Sequence, residues 1–299
     1  MSGVENGITL GTPIALLIRN GDHKKQDYQD LGSIFRPSHA DYTTFAKYGM
    51  TSSSGGGRAS ARETVSRVAA AAVAQVLIAQ IHPELEILAF VERVQDIEAT
   101  VNLNEIKKQD IEQSTIRCPD KNAEVLMKER ILAVKQEGDS VGGLIRCIIR
   151  NVPVGLGEPV FDKLEADLAG AMLSLPASKS FEIGSGLMGT YLTGSQHNDE
   201  FFLDEQKNVC TKSNHSGGIQ GGISNGMPII FSVGFKPVST IFKTQNTVTK
   251  EFTETNFIPA AGRHDPCVLP RAVPLVEAMA YLVLAEHILR QKIFSQTLR

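Results

Sequence analysis

The sequence predicts an α+β protein, in which antiparallel sheets and helices form a layered sandwich. Four segments carry apolar residues at the spacing of a helix, and four others are rich in β-branched and aromatic residues and bounded by Gly or Pro. The strands come in groups and do not alternate strictly with helices, which disfavours a doubly wound parallel sheet. Of the 299 residues 42% are apolar, enough for a large core, and we expect one domain over residues 1–299.

The first predicted helix begins at Val65 and is rich in alanine. Its apolar residues recur at i, i+3, i+4, i+7 and i+8, which predicts one buried face. The residues of this face are Val65, Val68, Ala69, Ala72, Val73, Val76 and Leu77. The small alanine side chains predict close packing.

Three further helices and four strands follow from similar patterns. A second helix is predicted over residues 119–135, with Asp120 as its cap and Gly138 just past its end. The fourth covers residues 274–294, and strands are predicted over residues 87–94, 143–152, 180–192 and 229–235. The third helix is defined by Phe161, Leu164, Leu168, Met172 and Leu175.

Composition and charge disfavour several classes of protein. The 30 basic and 33 acidic residues leave a net charge of -3, which argues against a nucleic-acid partner bound through bulk positive charge. The four cysteines lie far apart without a C-x-x-C pair, so we expect no disulfide framework, no metal site and a cytoplasmic protein, with a plastid location left open. The most apolar stretch, residues 68–81, is rich in alanine and shorter than the roughly 20 residues of a membrane span, so no membrane association is expected.

Two glycine-rich motifs match known signatures in sequence, but the secondary structure predicted after them is not the one that these signatures require. Residues 184–189 read G-x-G-x-x-G, yet a dinucleotide fingerprint must open a helix, and residues 190–192 resemble a strand. Residues 222–226 read G-x-S-x-G around Ser224, yet a nucleophile elbow also leads into a helix, and a strand is predicted next. A Rossmann site and a serine hydrolase are therefore both disfavoured.

Three polar, glycine-rich segments together predict a cationic pocket for a phosphorylated ligand. The first holds His39 and the run Gly55-Gly-Gly-Arg58-Ala-Ser-Ala-Arg62, where glycines before a helix let backbone amides approach an anion. We expect Arg58 and Arg62, four residues apart, to lie on one side of the first helical turn. The second has five glycines within residues 217–226, more than a hairpin needs, which predicts a loop that wraps closely around a ligand, and Lys236 follows it. The third is Gly262-Arg-His-Asp265, with a cation and two titratable groups. The alternatives are a plain helix start with solvated arginines, an ordinary β-turn and a structural His-Asp pair.

These segments resemble chorismate synthase, in order and over roughly residues 8–292. The strings that carry the resemblance include Arg36-Pro-Ser-His-Ala-Asp, Gly55-Gly-Gly-Arg-Ala-Ser-Ala-Arg-Glu-Thr, Gly138-Asp-Ser-Val-Gly-Gly, Gly217-Gly-Ile-Gln-Gly-Gly-Ile-Ser-Asn-Gly and Gly262-Arg-His-Asp-Pro-Cys. The resemblance implies a lyase of aromatic amino acid biosynthesis that removes phosphate and a ring proton from 5-enolpyruvylshikimate 3-phosphate to form chorismate. It also implies reduced FMN, NADPH as a candidate reductant and a homotetramer.

The resemblance further implies a role for individual residues. His39 matches an acid and charge stabiliser near the flavin, and Asp265 a carboxylate that helps the flavin to accept the proton. Ser60 and Arg62 would contact the phosphorylated substrate. The implied flavin-binding residues are Arg58, Ala59, Ser60, Pro176, Ala177, Gly221, Lys236, Pro237, Val238, Ser239, Thr240 and Arg263.

One departure from the family keeps an alternative open. Family members begin several dozen residues earlier, with a Gly-Glu-Ser-His segment that bears a second catalytic histidine and with a substrate-binding stretch rich in arginine. From this we expect the 299-residue chain to be impaired, and the alternative is a homologue that binds flavin or an anion without turnover. A structural subunit assembled through the alanine-rich helix is a third hypothesis, but it leaves the glycine loops unexplained.

Overall fold

The structure is a computed structural model, which describes residues 2–19, 21, 33–51, 56–258 and 265–297, with side chains as far as residue 293. Its helices are α1 (Asp41–Tyr48), α2 (Val65–Ile81), α3 (Lys108–Glu112), α4 (Lys121–Gln136), α5 (Leu164–Leu173), α6 (Gly194–His197) and α7 (Leu269–Thr297). Its strands are β1 (Val4–Glu5), β2 (Ile8–Thr9), β3 (Glu86–Val94), β4 (Ile97–Glu98), β5 (Gly143–Arg150), β6 (Ser178–Ile183), β7 (Phe201–Leu203), β8 (Val209–Thr211), β9 (Ile219–Gln220), β10 (Ile223–Ser224), β11 (Ile229–Phe235), β12 (Gln245–Val248) and β13 (Glu254–Phe257). The described residues fall into two compact units, residues 1–70 with 239–264 and residues 71–238 with 265–299.

The second unit is built on a five-stranded antiparallel sheet with the order β4-β3-β5-β11-β6. Strand β11 lies inside the sheet, since its Ile229 pairs with Ile149 of β5 and its Phe231 with Ile183 of β6. One face of the sheet forms the main core with side chains from α4, α5 and α7 and from the second half of α2. Antiparallel strands covered by segregated helices are the predicted α+β arrangement.

The first unit has a small aromatic core around Phe35. The ring centroid of Phe35 lies 5.4 Å from that of Tyr42 and 5.5 Å from that of Phe45. Its backbone N–H donates to the carbonyl of Val248, at the end of β12, at 3.0 Å. This core therefore fixes the segment that leads into α1. The prediction of a single domain over residues 1–299 stays a prediction.

Helix α2 begins at Val65 as predicted, but the predicted buried face is wrong. Its buried residues are Ala71, Ala74 and Ile78, whereas Val65 and Val76 are 47% and 60% exposed. The reason is that apolar residues occur on every side of this helix, between its few polar ones, so that periodicity alone does not select a face. Packing against the sheet and α7 selects the side where alanine permits the closest approach.

The other helices form where they were predicted, with shifted ends. The carboxylate of Asp120 accepts the N–H groups of Asn122 and Ala123 and caps α4, and Gly138 follows the helix with a φ of +68°. Helix α5 begins only at Leu164, and Phe161, predicted to lie on its face, is 89% exposed. The preceding Val160 has a φ of +77°, which is incompatible with a helix.

Helix α7 begins at Leu269, five residues before the predicted start, and contains Pro274. Proline lacks the N–H that would bond to the carbonyl four residues earlier, which belongs to Pro270. The guanidinium of Arg117 donates to that carbonyl instead. A partner far away in the sequence thus allows the helix to continue through a proline.

The strand predictions are confirmed except in one place. Strand β11 covers the predicted residues 229–235, but β6 ends at Ile183 and residues 186–191 form a 3₁₀ helix. Gly184 and Gly186 both have positive φ, which ends the strand. No α-helix follows these glycines directly, in agreement with the rejection of a dinucleotide site.

Two described helices are long and apolar enough to cross a membrane, Ala61–Ile81 and Leu269–Ile293. The first is longer than the apolar stretch considered from the sequence. This is weak evidence for a membrane span, because core helices pass the same test, and more than half of the apolar window in the second helix is buried. The expectation of no membrane association stays a prediction.

Candidate active site

In the first unit, an ion pair closes the turn that presents His39. Arg36 donates from Nε and Nη2 to the two carboxylate oxygens of Asp41, at 2.7 and 2.8 Å, and its backbone N–H donates to the same carboxylate at 3.2 Å. Burial tends to raise the pKa of Asp41, but the hydrogen bonds and charge of Arg36 outweigh it and the pKa is lowered. Within this turn Ser38 has a φ of +58°, so that the ion pair holds a strained backbone.

The imidazole of His39 is oriented through both of its nitrogens. Nδ1 lies 2.9 Å from the carbonyl oxygen of Pro37, and because a carbonyl can only accept, Nδ1 carries a proton. Nε2 lies 3.1 Å from the hydroxyl of Thr240, which donates to it when the ring is neutral. The hydroxyl of Ser239 donates to the carbonyl of Ser38 at 3.1 Å. The structure thus brings three predicted site residues, His39, Ser239 and Thr240, together.

The predicted anion site before α2 has a different local structure. Residues 57–59 and 61–64 form two separate 3₁₀ turns, and Ser60 between them is extended. The expectation that Arg58 and Arg62 share one helical turn is therefore wrong. The reason is the side chain of Ser60, which accepts the N–H of Arg62 and starts the second turn afresh. Arg58, Ala59 and Arg62 are exposed.

In the second unit, Ala177 and Lys236 lie side by side. The backbone N–H of Lys236 donates to the carbonyl of Ala177 at 2.9 Å. Ala177 has a φ of +67°, a conformation that costs alanine about 1–2 kcal/mol. The pKa of the Lys236 ammonium is lowered, first by burial and then by the charge of Lys179. A desolvated cation beside another cation is a favourable place for an anionic ligand.

The glycine-rich loop forms the β9–β10 hairpin, and most of its glycines serve the packing of the chain itself. A Cβ atom at Gly217 would lie 2.4 Å from the backbone nitrogen of Gly184, and one at Gly218 would lie 2.6 Å from the carbonyl oxygen of Pro228. At Gly222 it would lie 2.6 Å from Cγ of Lys163. The expectation that the whole loop is shaped by a ligand is therefore wrong for these three.

Gly221 is the exception in this loop. It lies at the tip of the hairpin, is exposed and has a φ of +63°. A Cβ atom built there would meet no protein atom within 4 Å. The turn conformation favours glycine, and the space beside it remains open to a bound molecule.

The carboxylate of Asp265 forms an ion pair with Arg271 of α7, with 2.8 Å between Oδ2 and Nη1. This holds the carboxylate in one orientation while leaving it partly accessible. Arg263 and His264, the other members of the predicted cluster, lie outside the described residues. Pro176 precedes Ala177 and is partly buried, while Pro237 follows Lys236 and is exposed.

Ser224, the serine of the G-x-S-x-G motif, has a structural role. It is 1% exposed, donates to the carbonyl of Pro153 at 2.6 Å and accepts the N–H of Leu156 at 2.9 Å. Its hydroxyl is fully used within the fold, which agrees with the rejection of a serine hydrolase. Among the described residues, no group of three or more His, Cys, Asp and Glu side chains could hold a metal ion.

Two positions near the candidate site were not found by sequence reasoning. The hydroxyl of Ser140 donates to the carbonyl of Val238 at 2.7 Å, and the carboxylate of Asp199 accepts from three groups of residues 213–216. Ser140 lies in the string Gly138-Asp-Ser-Val-Gly-Gly, whose glycines were an available signal. Asp199 lies in a polar run without any periodicity or motif.

Comparisons with known proteins agree with one another. A chorismate synthase family model matches residues 1–289. A chorismate synthase of Synechocystis sp. is 57% identical over 298 residues, which cover 100% of this chain and 82% of that protein. One of Prochlorococcus marinus is 55% identical over 292 residues, covering 98% and 80%. A crystal structure of chorismate synthase matches with a TM-score of 0.72 and 31% identity, covering 97% of this chain and 77% of the other. The chain therefore belongs to the chorismate synthase family.

Proposed function

We propose that this protein is the lyase that converts 5-enolpyruvylshikimate 3-phosphate into chorismate with the help of reduced FMN. The reaction breaks the C–O bond to phosphate and a ring C–H bond, releases phosphate and a proton, and forms a C=C bond without net oxidation. The observation that carries this proposal is the 57% identity to a chorismate synthase over the full chain. Neither the relatives nor the described residues favour the alternative of a non-catalytic homologue.

The described residues suit a flavin phosphate. Lys236 is a partly desolvated cation, and the open space beside Gly221 admits a planar group close to the backbone. The strained Ala177 lies next to Lys236, as is common for backbone that shapes a ligand site. When bound, reduced FMN supplies electron density as phosphate leaves and takes part in removal of the proton. We assign its contacts to the residues implied by the family resemblance, including Arg263.

We assign His39 as the acid and charge stabiliser. Because Nδ1–H is bound to the carbonyl of Pro37, the neutral ring exposes its basic nitrogen, Nε2, on the side of the Thr240 hydroxyl. A proton taken up at Nε2 is shared with that hydroxyl oxygen, which can accept as well as donate. Asp265 is the carboxylate that assists proton transfer, held by Arg271, while Ser60 and Arg62 contact the phosphorylated substrate.

Three further properties belong to this proposal. NADPH is a candidate reductant of the flavin. Exposed valines on α2, at Val65, Val68, Val73 and Val76, support a homotetramer, because partner subunits would cover them. Four free cysteines suit a reducing, cytoplasmic compartment.

The test is formation of chorismate under anaerobic conditions with reduced FMN. We expect His39→Ala to lower kcat by about 10²–10⁴-fold, the usual contribution of one positioned general acid, with FMN affinity changed little. Asp265→Ala should also lower kcat with little effect on FMN affinity. Arg263→Ala should weaken FMN binding at least about tenfold, since a charge-assisted hydrogen bond contributes about 1.5–3 kcal/mol.

A matched histidine provides the control. His82 follows the C-terminal end of α2, outside the candidate site, and His82→Ala should retain wild-type kcat. Wild-type protein that binds FMN but forms no chorismate would contradict the proposed function. Equal kcat for wild type and His39→Ala would contradict the role of His39.

A further inference from the structure

The connection between α4 and β5, residues 138–143, is held in a defined conformation at its start. Gly138 takes a φ of +68°, its N–H donates to the carbonyl of Lys135, and the N–H of Asp139 donates to that of Val134 at 2.8 Å. These two bonds form the motif that ends many helices and reverses the chain. The carboxylate of Asp139 then accepts the N–H of Ser140 at 2.8 Å. The backbone at Ser140 is thereby tied to the end of α4.

From this connection two contacts reach the segment after β11. The hydroxyl of Ser140 donates to the carbonyl of Val238 at 2.7 Å. A Cβ atom at Gly142 would lie 2.2 Å from the carbonyl oxygen of Phe235, so only glycine permits this approach. The pairing of β5 with β11 ends at Gly143 and Phe235, which leaves residues 236–238 beyond the sheet. Two hydrogen bonds help to hold them there, one from the N–H of Lys236 to the carbonyl of Ala177 and one from the hydroxyl of Ser140 to the carbonyl of Val238.

The same connection also holds the segment of Asp265. The N–H of Val141 donates to the carbonyl of Pro266 at 2.8 Å, and Val141 forms a parallel bridge with Cys267. Pro266 directly follows the carboxylate residue. Consecutive residues of one connection, Ser140 and Val141, therefore hold two different segments of the candidate site.

We propose that Ser140 is a positioning residue, whose hydroxyl fixes the segment 236–238 for flavin binding. This inference rests on the proposed function, because it takes Lys236 and Val238 as flavin contacts. Without the Ser140 hydroxyl the carbonyl of Val238 loses this donor, and the segment beyond the sheet is held less firmly at its Val238 end. A less fixed segment must be ordered when the ligand binds, and this cost appears as weaker binding.

Two measurements on Ser140→Ala test this proposal. Titration with FMN, followed by flavin fluorescence, should give a Kd about tenfold higher than that of the wild type, which corresponds to about 1.4 kcal/mol. Hydrogen exchange of the ligand-free protein should show faster exchange of the Lys236 amide, whose bond to Ala177 lies in the same segment. Ser140→Thr keeps the hydroxyl and should restore both values. Circular dichroism checks that each variant is folded.

The control is Thr190→Val, which removes a hydroxyl that donates to a backbone carbonyl, that of Leu187, at the same distance of 2.7 Å. It should change neither FMN affinity nor exchange at Lys236. Wild-type affinity in Ser140→Ala, or equal losses in Ser140→Ala and Ser140→Thr, would overturn the proposal. If the wild type itself binds no FMN, the proposed function is wrong, and so is the role of Ser140 in flavin binding. Unchanged hydrogen exchange of the Lys236 amide in Ser140→Ala would separately refute the positioning role.

Discussion

Asp199 is a carboxylate whose removal should make the protein less stable in a pH-dependent way. Its Oδ1 accepts the hydroxyl of Ser213 at 2.7 Å and the N–H of His215 at 2.8 Å, and its Oδ2 accepts the N–H of Ser216 at 2.9 Å. Burial tends to raise its pKa, but the hydrogen bonds from Ser213, Ser216 and His215 outweigh this and lower the pKa from 3.8 to about 2. The group thus holds residues 213–216, directly before the glycine-rich hairpin.

The magnitude follows from the pKa. Each pKa unit corresponds to about 1.4 kcal/mol, and because Asp199 is partly exposed we reduce the full value to about 1–2 kcal/mol. The folded-state pKa lies below the unfolded one, so this stabilisation is fully present above the unfolded value of 3.8 and is lost as the pH falls towards about 2. Asp199→Asn should lower the free energy of unfolding by about 1–2 kcal/mol at pH 7, and the difference from the wild type should shrink below pH of about 4.

Urea unfolding followed by circular dichroism at pH 7, 5, 4 and 3, at one protein concentration, measures this difference. Asp204→Asn is the matched control, since Asp204 also accepts several hydrogen bonds from its own turn, but these bonds are exposed to solvent. It should have a smaller effect at every pH. A loss of stability in Asp199→Asn that stays constant from pH 7 to pH 3 would refute the argument, because it would arise from packing and not from the charge.

Four further substitutions test the roles assigned to individual residues. Gly218→Ala should destabilise the protein by about 2–4 kcal/mol in urea unfolding, because its Cβ would meet the backbone of Pro228. Gly221→Ala should cost only about 1 kcal/mol of stability but should weaken FMN binding. Equal losses of stability in the two variants would contradict this. Ala177→Gly should raise the free energy of unfolding by about 0.5–1 kcal/mol, because glycine adopts a positive φ without strain. Calorimetry measures this as a higher Tm, and an unchanged Tm would contradict the prediction. Ser224→Ala should cost about 1–3 kcal/mol by leaving the N–H of Leu156 unpaired, and wild-type stability would show that water replaces the hydroxyl.

Much of the secondary structure could be predicted because its signals are local. Asp120 caps the start of α4 and Gly138 follows its end, as predicted. The bounds predicted for β11, residues 229–235, agree with the structure. Predictions were wrong where a local signal was ambiguous or hidden, as at Phe161, where the backbone of Val160 delays the helix. The site residues stay predictions: the structure places His39 beside Ser239 and Thr240, which no spacing in the sequence indicates.

The sequence by itself determined the family, because long strings such as Arg36-Pro-Ser-His-Ala-Asp are properties of consecutive residues and survive without knowledge of the fold. It also determined the α+β class, since periodicity and chain order are sufficient for that. Only the tertiary structure decided which face of α2 is buried and that Ser140 reaches Val238. It also decided that, of the glycines at 217, 218, 221 and 222, Gly221 alone has open space for a Cβ atom. The physical reason is that burial and hydrogen bonding depend on partners far away in the chain, 98 residues away in the case of Ser140.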